Sequence, residues 1–421
     1  MVVPPPVQTS LRRAGPSLRP RGRSRSVTIQ APAAPSAASA AQLQLRTGLA
    51  DALVPDVELR GAVAGLRGLG REGVRVAALA GNRWAAGLWS RYASLRALGP
   101  AVRKDRVPFA GRVSELADRW GPLVVYPSRE ETIDALFGPQ AKVSARVIRP
   151  FAGPDSLALL RDKRAIGDLA DAVGLRSPRL LAAGGPASLA ATPVRQRLVV
   201  KPAYGGLSLA SAQVVDTEAE LARLLACLPP EEPLMLQEHV SGALLSLALV
   251  IDRDGAVVAR FMERATHIWP VDAGSVRRSC SVAPDDRLIR RVARLLASAG
   301  YWGLVQLDFI ETHSGPFLLD INPRYYLGLP LALACGVNLA AAWHAVVIGQ
   351  PVPRTGPYRT GVPYRWLLAD VLAGLRASPG ELLRRPSPKA VGAMWLRDDP
   401  VSGGLLAGRA ITHALVGRRV A

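Results

Sequence analysis

Two periods of apolar and polar residues alternate along this chain, and the switches between them mark its elements. In Gly303–Ile310 (GLVQLDFI) apolar positions alternate with Gln306 and Asp308, the two-residue period of a strand that shows both polar residues on one face. Phe317–Asn322 (FLLDIN) repeats the pattern, with Asp320 and Asn322 pointing one way and Ile321 the other. About five residues containing Ser314 and Gly315 lie between the two runs, which predicts a hairpin. Pro323 ends the second strand and Arg324 follows it. Upstream, Leu198–Lys201, Ser211–Val215 and Leu234–Glu238 read as further strands, and Lys163 opens a helical stretch that ends near Gly174.

The segment 49–150 alternates differently. Ala52–Val54, Val74–Leu79 and Leu123–Tyr126 are apolar runs of strand length, separated by the amphipathic helix Glu58–Gly70 and a second helix, then followed by Glu130–Phe137. This α/β alternation predicts a doubly wound parallel sheet, a Rossmann-like preliminary domain. Ser90-Arg91-Tyr92 and Pro127-Ser128 fall at or after expected strand ends, where such sheets bind ligands, although ordinary loop polarity is the stronger reading at each. Residues 1–48 carry no acidic residue and no periodicity, the composition of a disordered basic leader. Residues 151–350 form the main domain. Residues 351–421 read as a helical C-terminal extension, with a helix over Trp366–Leu375 and a cap or turn at Arg397-Asp398-Asp399-Pro400.

Composition narrows the function classes. Among 421 residues, 49% are hydrophobic, enough for two or three domains with a sizeable core. The net charge is +20, but the five lysines leave 48 of the 53 basic residues as arginine, scattered rather than striped, with aromatics at only 5%. That distribution lacks the one-faced basic footprint of a specific nucleic-acid binder, so a nucleic-acid reading rests on charge alone. Cys227, Cys280 and Cys335 are isolated and odd in number, which excludes a disulfide framework and fits a reducing, cytoplasmic setting. No apolar run approaches the roughly 20 residues of a membrane span.

Candidate chemistry gathers on the hairpin. Asp308, Asp320 and Asn322 offer hard oxygen donors suited to Mg²⁺ or Mn²⁺, and Arg324 offers a planar fork for phosphate or carboxylate. In a chain so poor in lysine, Lys163 and Lys201 stand out as compact positive charges. Lys201 is followed by Pro202-Ala203-Tyr204-Gly205-Gly206-Leu207-Ser208, a loop whose glycines let backbone N–H groups approach phosphates.

With these residues in view, the chain resembles the ATP-grasp superfamily over 151–350. The resemblance implies a two-subdomain ATP-grasp fold of α+β type following the Rossmann-like domain. It assigns the metal to Asp308, Asp320 and Asn322, in an Asp-Ile-Asn-Pro-Arg variant of the family's Glu-x-Asn strand. It places Lys163, Lys201, Gly205, Gly206 and Ser208 around the phosphates of ATP, and Gln237, Glu238 and Val240 along the adenine. Arg324 and Lys201 become the catalytic charges, and Arg264, Arg278 or Arg277 candidate contacts to the acyl-phosphate or a substrate carboxylate. Where the family carries a ribose-binding carboxylate, this chain has Ala243-Leu244-Leu245-Ser246, leaving Glu238 or Ser246 as the nearest substitutes. His239 reads as a packed or solvated strand residue. The implied function is an ATP- and Mg-dependent ligase joining a small-molecule carboxylate to an amine, or a thiol, through an acyl-phosphate. The alternative is a non-catalytic or regulatory ATP-binding protein that keeps the fold. The family likeness also admits a homodimer.

Overall fold

The computed structural model describes residues 48–204, 212–269, 274–353, 356–367, 369–370, 390–392, 398–405 and 408. The leader and the loop Gly205, Gly206 and Ser208 therefore lie outside the described residues, as does Trp366–Leu375 beyond Asp370.

Residues 48–150 build a five-stranded parallel sheet. Its strands β1 (Ala52–Val54), β2 (Val76–Ala80), β3 (Ala93–Leu98), β4 (Leu123–Val125) and β5 (Val147–Ile148) lie in the order β3-β2-β1-β4-β5. β1, β2 and β4 are buried along their whole length, which is why they read as continuous apolar runs. Helices α1 (Arg60–Arg71), α2 (Arg106–Trp120) and α3 (Glu130–Phe137) connect the strands. Asp105 caps α2 by accepting from Val107 N, and Gly121, with φ of 107°, ends it. The sequence reading anticipated one helix between β2 and β4. The structure has a 3₁₀ turn (Ala86–Trp89), then β3, then α2. β3 alternates between buried or half-buried positions (Ala93, Leu95, Ala97) and exposed ones (Ser94, Arg96, Leu98), a two-residue period that the single-helix expectation passed over.

Helices α4 (Pro154–Arg161) and α5 (Ile166–Asp171) lead into a four-stranded antiparallel sheet. Here β6 (Leu180–Gly184), β7 (Leu198–Pro202), β8 (Gln213–Val215) and β9 (Leu234–Glu238) run in the order β6-β9-β7-β8. α6 (Pro186–Leu189) and α7 (Glu218–Ala226) cover it over a small core of its own, including Leu198, Val200, Leu221 and Leu236.

The chain then enters a seven-stranded sheet. Its members are β10 (Ala243–Ile251), β11 (Val257–Trp269), β12 (Ser275–Ser281), β13 (Gly303–Thr312), β14 (Gly315–Asn322), β15 (Pro363–Arg365) and β16 (Val391–Gly392). They lie in the order β14-β13-β10-β11-β12-β15-β16, antiparallel except for the β15–β16 pair. The β13–β14 hairpin closes with only His313 and Ser314 between its strands, tighter than the spacing suggested, because the strands run on to Thr312 and resume at Gly315. α8 (Asp286–Ser298), α9 (Leu329–Cys335) and α10 (Leu339–Ile348) complete the layer. No single helix among the described residues is long and apolar enough to cross a membrane.

One hydrophobic core runs from the parallel sheet into the seven-stranded sheet, through Tyr126, Phe151, Tyr325 and Trp343. The close approach comes from a glycine face on α1. Gly61, Gly65 and Gly68 recur at helical spacing. A Cβ on them would stand 2.4 Å from the Tyr326 carbonyl oxygen, 2.3 Å from the Tyr325 ring and 2.6 Å from Asn338 Oδ1. The C-terminal residues add two strands rather than helix alone, since β15 and β16 extend the sheet in runs too short to show a period. Asp399 is buried and accepts from Arg67 Nε (2.7 Å), Ser90 Oγ (2.7 Å) and Arg91 N (3.0 Å). Asp398 accepts from Arg71 and from Tyr92 OH, both at 2.8 Å. The Ser90-Arg91-Tyr92 segment thus precedes β3 and anchors residues 398–399.

Two predictions follow from this packing. Gly61→Ala should cost about 1–3 kcal/mol through overpacking, although alanine favours helix. Gly111→Ala, a position in α2 with open space at the Cβ, should stabilise by about 0.5–1 kcal/mol. Denaturant titration of the two variants checks both, and a gain at Gly61 would refute the close approach. Buried His344 shares a 2.7 Å hydrogen bond with Tyr126 OH, and burial pulls its pKa from 6.5 down to about 4. The unfolded chain takes up that proton first, so this contribution is present above pH 6.5 and lost as pH falls toward 4. The melting temperature of His344→Phe should fall less steeply than wild type between pH 7 and 5; parallel profiles would contradict the assignment.

Candidate active site

The β13–β14 register sets the site. Asp308 stands opposite Asp320, and Gln306 opposite Asn322. Cross-strand partners share a face, so the four polar side chains form one patch. β10 and β11 prolong it, with Ser246 opposite Asp308 and Glu263 opposite Ser246. A row Asp320–Asp308–Ser246–Glu263 therefore crosses four strands.

Hydrogen bonds hold the patch in place. Gln306 Nε2 donates to Asp308 Oδ1 and Ser246 Oγ, each at 2.7 Å. Asn322 Nδ2 donates to Gln306 Oε1 at 3.0 Å, and its Oδ1 accepts from Arg324 Nη2 at 2.8 Å. The four-stranded sheet supplies the facing cations. Lys163, between α4 and α5, is tied by its backbone N–H to Ala203 O at 3.0 Å, just past β7. Its Nζ donates to Asp320 Oδ2 at 2.9 Å, and Lys201 Nζ, from β7 itself, donates to Leu319 O at 2.9 Å.

Charge and burial divide the groups. Burial, then the neighbouring Asp320, pushes the Asp308 carboxyl up to about 7. Burial would raise Asp320 as well, but Lys163 and Lys201 hold it below the usual carboxylate range. Burial draws Lys201 down to about 8 against the pull of Asp320, whereas in Lys163 the attraction of Asp320 overcomes burial and raises the pKa. Lys163 and Asp320 keep side-chain exposures of 22% and 26%, so the site is open at its rim.

The patch fits a hard divalent cation. Two carboxylates are opposed, and one is pushed toward protonation by the other, a repulsion that a cation between them removes. Among the described residues, the closest hydrogen bond to Asp308 Oδ2 is the long 3.5 Å contact from Asn322 Nδ2. No three His, Cys, Asp or Glu side chains converge among those residues, so further ligands must be amide or ligand oxygens. Asn322 Oδ1 is engaged by Arg324 and braces the patch in this geometry.

Arg324 is fixed from the parallel sheet. Its Nε donates to Glu130 Oε1 at 2.7 Å, while Glu130 Oε2 accepts from Arg161 Nε at 2.6 Å. Burial would raise Glu130, yet Arg324 and Arg161 hold its carboxyl below the usual range. Sequence reasoning missed Glu130, gave Gln306 no role although it placed it on the Asp308 face, and considered Ser246 only for the ribose. The signal for Glu130 was present: it begins α3 just after Pro127-Ser128 at the end of β4.

The remaining candidates scatter. Gln237 is buried, with Nε2 3.4 Å from Pro178 O. Glu238 accepts from Arg179 N at 3.0 Å, so its carboxylate is engaged by the entry to β6. Val240 lies in the link from β9 to β10, and Ser246 faces the Asp308 patch. Arg264 follows Glu263 and so points to the opposite face, bidentate on Glu311 at 2.7 and 2.9 Å. Arg278 is bidentate on buried Asp370 at 2.7 and 2.8 Å, together with Arg277 and Arg365. The structure therefore joins Lys163, Lys201, Asp308, Asp320, Asn322 and Arg324, and does not bring Arg264 to them.

Comparison with known proteins bears on the family and the fold. Residues 230–369 match a family described as ATP-grasp in the biosynthetic pathway with Ter operon. The chain is 27% identical over 232 residues to the carbamoyl phosphate synthase large chain of Xanthomonas campestris pv. campestris, covering 50% of this chain and 21% of that one. The Myxococcus xanthus carbamoyl phosphate synthase large chain is 24% identical over 250 residues, covering 54% and 23%. The chain thus spans about a fifth of the length of these relatives. Among solved structures, the ADP complex of an N5-carboxyaminoimidazole ribonucleotide synthetase superposes with a TM-score of 0.59 at 15% identity, covering 87% of this chain and 97% of that one. A Campylobacter jejuni biotin carboxylase superposes with a TM-score of 0.57 at 13% identity, covering 75% and 74%. The matched segment and the shared fold agree: residues 230–369 are similar to an ATP-grasp family, and the chain shares the fold of these solved structures.

Proposed function

We propose that this chain is an ATP- and Mg²⁺-dependent ligase that joins a carboxylate to an amine through an acyl-phosphate. The observation that carries this reading is the opposed pair Asp308 and Asp320 beneath Lys163 and Lys201. Four charged groups converge there from distant parts of the chain, on two sheets that can hold a nucleotide between them. The relatives are carbamoyl phosphate synthase large chains by name, and one structural neighbour is an ADP complex of a synthetase.

In this reading Asp308 and Asp320 hold Mg²⁺, with Asn322 as brace or third ligand. The metal, when bound, supplies Lewis-acid stabilisation of the phosphoryl oxygens. Lys163 and Lys201 neutralise the polyphosphate as the γ-phosphoryl passes to the substrate carboxylate. With a pKa of about 8, Lys201 is still mostly charged at neutral pH. Arg324, clamped between Glu130 and Asn322, keeps its charge beside the patch without rearrangement. Gly205, Gly206 and Ser208 would close over the phosphates, and Gln237, Glu238 and Val240 would line the base. The amine attacks the acyl carbon, phosphate leaves, and no side-chain nucleophile is needed.

A second reading, nucleotide binding without turnover, is favoured by the ribose end. Leu244 pairs with Ile310 and offers no polar group, Glu238 is engaged by Arg179, and Ser246 by Gln306. Release of ADP in mixtures of small carboxylates and amines separates the two readings. Turnover should require both substrates, and Asp320→Asn should lower it about 10²-fold. Undiminished turnover in Asp320→Asn refutes the metal assignment, and ATP binding without ADP release under any mixture favours the second reading.

A further inference from the structure

On β14 the side-chain oxygens suited to a metal already accept from cations. Asp320 Oδ2 accepts from Lys163 Nζ at 2.9 Å, and Asn322 Oδ1 from Arg324 Nη2 at 2.8 Å. The other oxygen of Asp320 is held at 3.0 Å by the Ile321 N–H, a contact that fixes how the carboxylate is turned. That leaves Oδ2 as the oxygen Asp320 offers, and Lys163 covers it. Asp308, across the hairpin, is covered by no cation: its Oδ1 accepts from the neutral amide of Gln306, and its Oδ2 makes only the long contact with Asn322.

The two cations are held differently. Arg324 is fixed from several sides, with Nε on Glu130 Oε1 at 2.7 Å and Nη1 on Tyr325 O at 3.3 Å. Lys163 is fixed only at its root, where its backbone N–H donates to Ala203 O at 3.0 Å. Its Nζ has Asp320 as its one hydrogen-bond acceptor among the described residues. An ammonium carries three donors on a flexible stem, so Nζ can turn to another anion while the backbone stays in place. Magnesium sits about 2.1 Å from its ligand oxygens, so a metal and an ammonium on the same Oδ2 would be like charges in close contact. Lys163, Lys201 and Arg324 already offset the charge of Asp308 and Asp320. A dication entering alone is repelled, whereas one entering with a polyphosphate brings its own compensating charge.

We propose that Lys163 and the divalent cation compete for Asp320 Oδ2, and that nucleotide phosphate settles the contest by drawing the ammonium off the carboxylate. Metal and nucleotide then bind as one coupled event. This rests on the metal and nucleotide assignments of the proposed function, though not on turnover. The exchange conserves ion pairing: Asp320 trades an ammonium for a dication, and Lys163 trades a carboxylate for a phosphate. It is local, since only a lysine stem at the open rim has to swing. By linkage, metal and nucleotide strengthen each other by the same factor. The coupling also runs backwards: as the phosphates leave, Lys163 returns to Asp320 and the metal is released with them.

Binding measurements on the full chain test the competition. Mn²⁺ uptake by the protein alone is read from the loss of the free-ion EPR signal, and ADP affinity by calorimetry in EDTA and in MgCl₂. Wild type should bind Mn²⁺ alone weakly, and Mg²⁺ should tighten ADP about 5- to 150-fold. Lys163→Met keeps the length of the stem without its charge. It should bind Mn²⁺ alone about tenfold tighter than wild type, and the gain that Mg²⁺ gives ADP should shrink. A lysine that served phosphate only would weaken ADP on removal and leave Mn²⁺ unchanged, so unchanged Mn²⁺ affinity in folded Lys163→Met overturns the proposal. If that variant does not fold, wild type decides: tight binding of Mn²⁺ alone, or equal ADP affinity with and without Mg²⁺, overturns it as well. Coupled binding without ADP release in any mixture of carboxylates and amines supports this inference and sinks the ligase reading alone. Turnover with uncoupled binding does the reverse.

Discussion

Two carboxylates placed directly across from each other in a hairpin are the constraint on which this architecture turns. Register puts Asp308 and Asp320 within one cross-strand spacing, where like charges repel. The chain answers with cations drawn from elsewhere: Lys163 ahead of α5, Lys201 on β7, and Arg324 just past β14. Lys201 comes from the four-stranded sheet and Lys163 is tied to it through Ala203 O, so relieving the repulsion draws that sheet to β14. Buried charge pairs add little net stability, because desolvation consumes most of the Coulomb gain. Their concentration here marks a site shaped for a charged ligand, while the apolar layers supply the stability.

Those apolar layers also aim the charges. Tyr325 and Tyr326 follow Arg324 directly, and both are seated against the glycine face of α1. Arg324 itself is held by Glu130 from α3, and Tyr325 N donates to Pro127 O at 3.0 Å. The parallel sheet thus grips the chain at the point where it leaves β14. On the far side of α1, Arg67 binds Asp399, so the C-terminal residues brace the same helix.

The hairpin was legible because a two-residue period fixes which side chains share a face, and the tight turn fixes the register. Lys163 and Lys201 were legible because lysine is rare in this chain. Arg264 looked equivalent to them in sequence, and only the pairing of Leu245 with Arg264 reveals that it faces away. Glu130 is 194 residues from Arg324, so its place after β4 marked it as a site residue without naming Arg324 as its partner. β15 and β16 stayed hidden for a simpler reason: strands of two to three residues carry no measurable period.

The two ends of the proposed nucleotide site are built on different principles. At the phosphate end charged groups meet directly, and Asp320 is held both by Lys163 Nζ and by its neighbour's N–H. At the ribose end Leu244 offers only methyl groups, and the nearest polar side chains already have partners. A lost charge-assisted contact to a sugar hydroxyl is worth about 1.5–3 kcal/mol. Phosphate charge is a larger source of binding, and it is the part of the nucleotide on which the reaction acts. Under the proposed function, the site therefore holds the reacting end of ATP firmly and the sugar loosely. Interactions at the transferred phosphoryl differ between ground and transition states, whereas contacts to ribose add equally to both. A chain that drops the ribose carboxylate while keeping Asp308, Asp320, Lys163 and Lys201 has given up uniform binding and retained the part that accelerates chemistry.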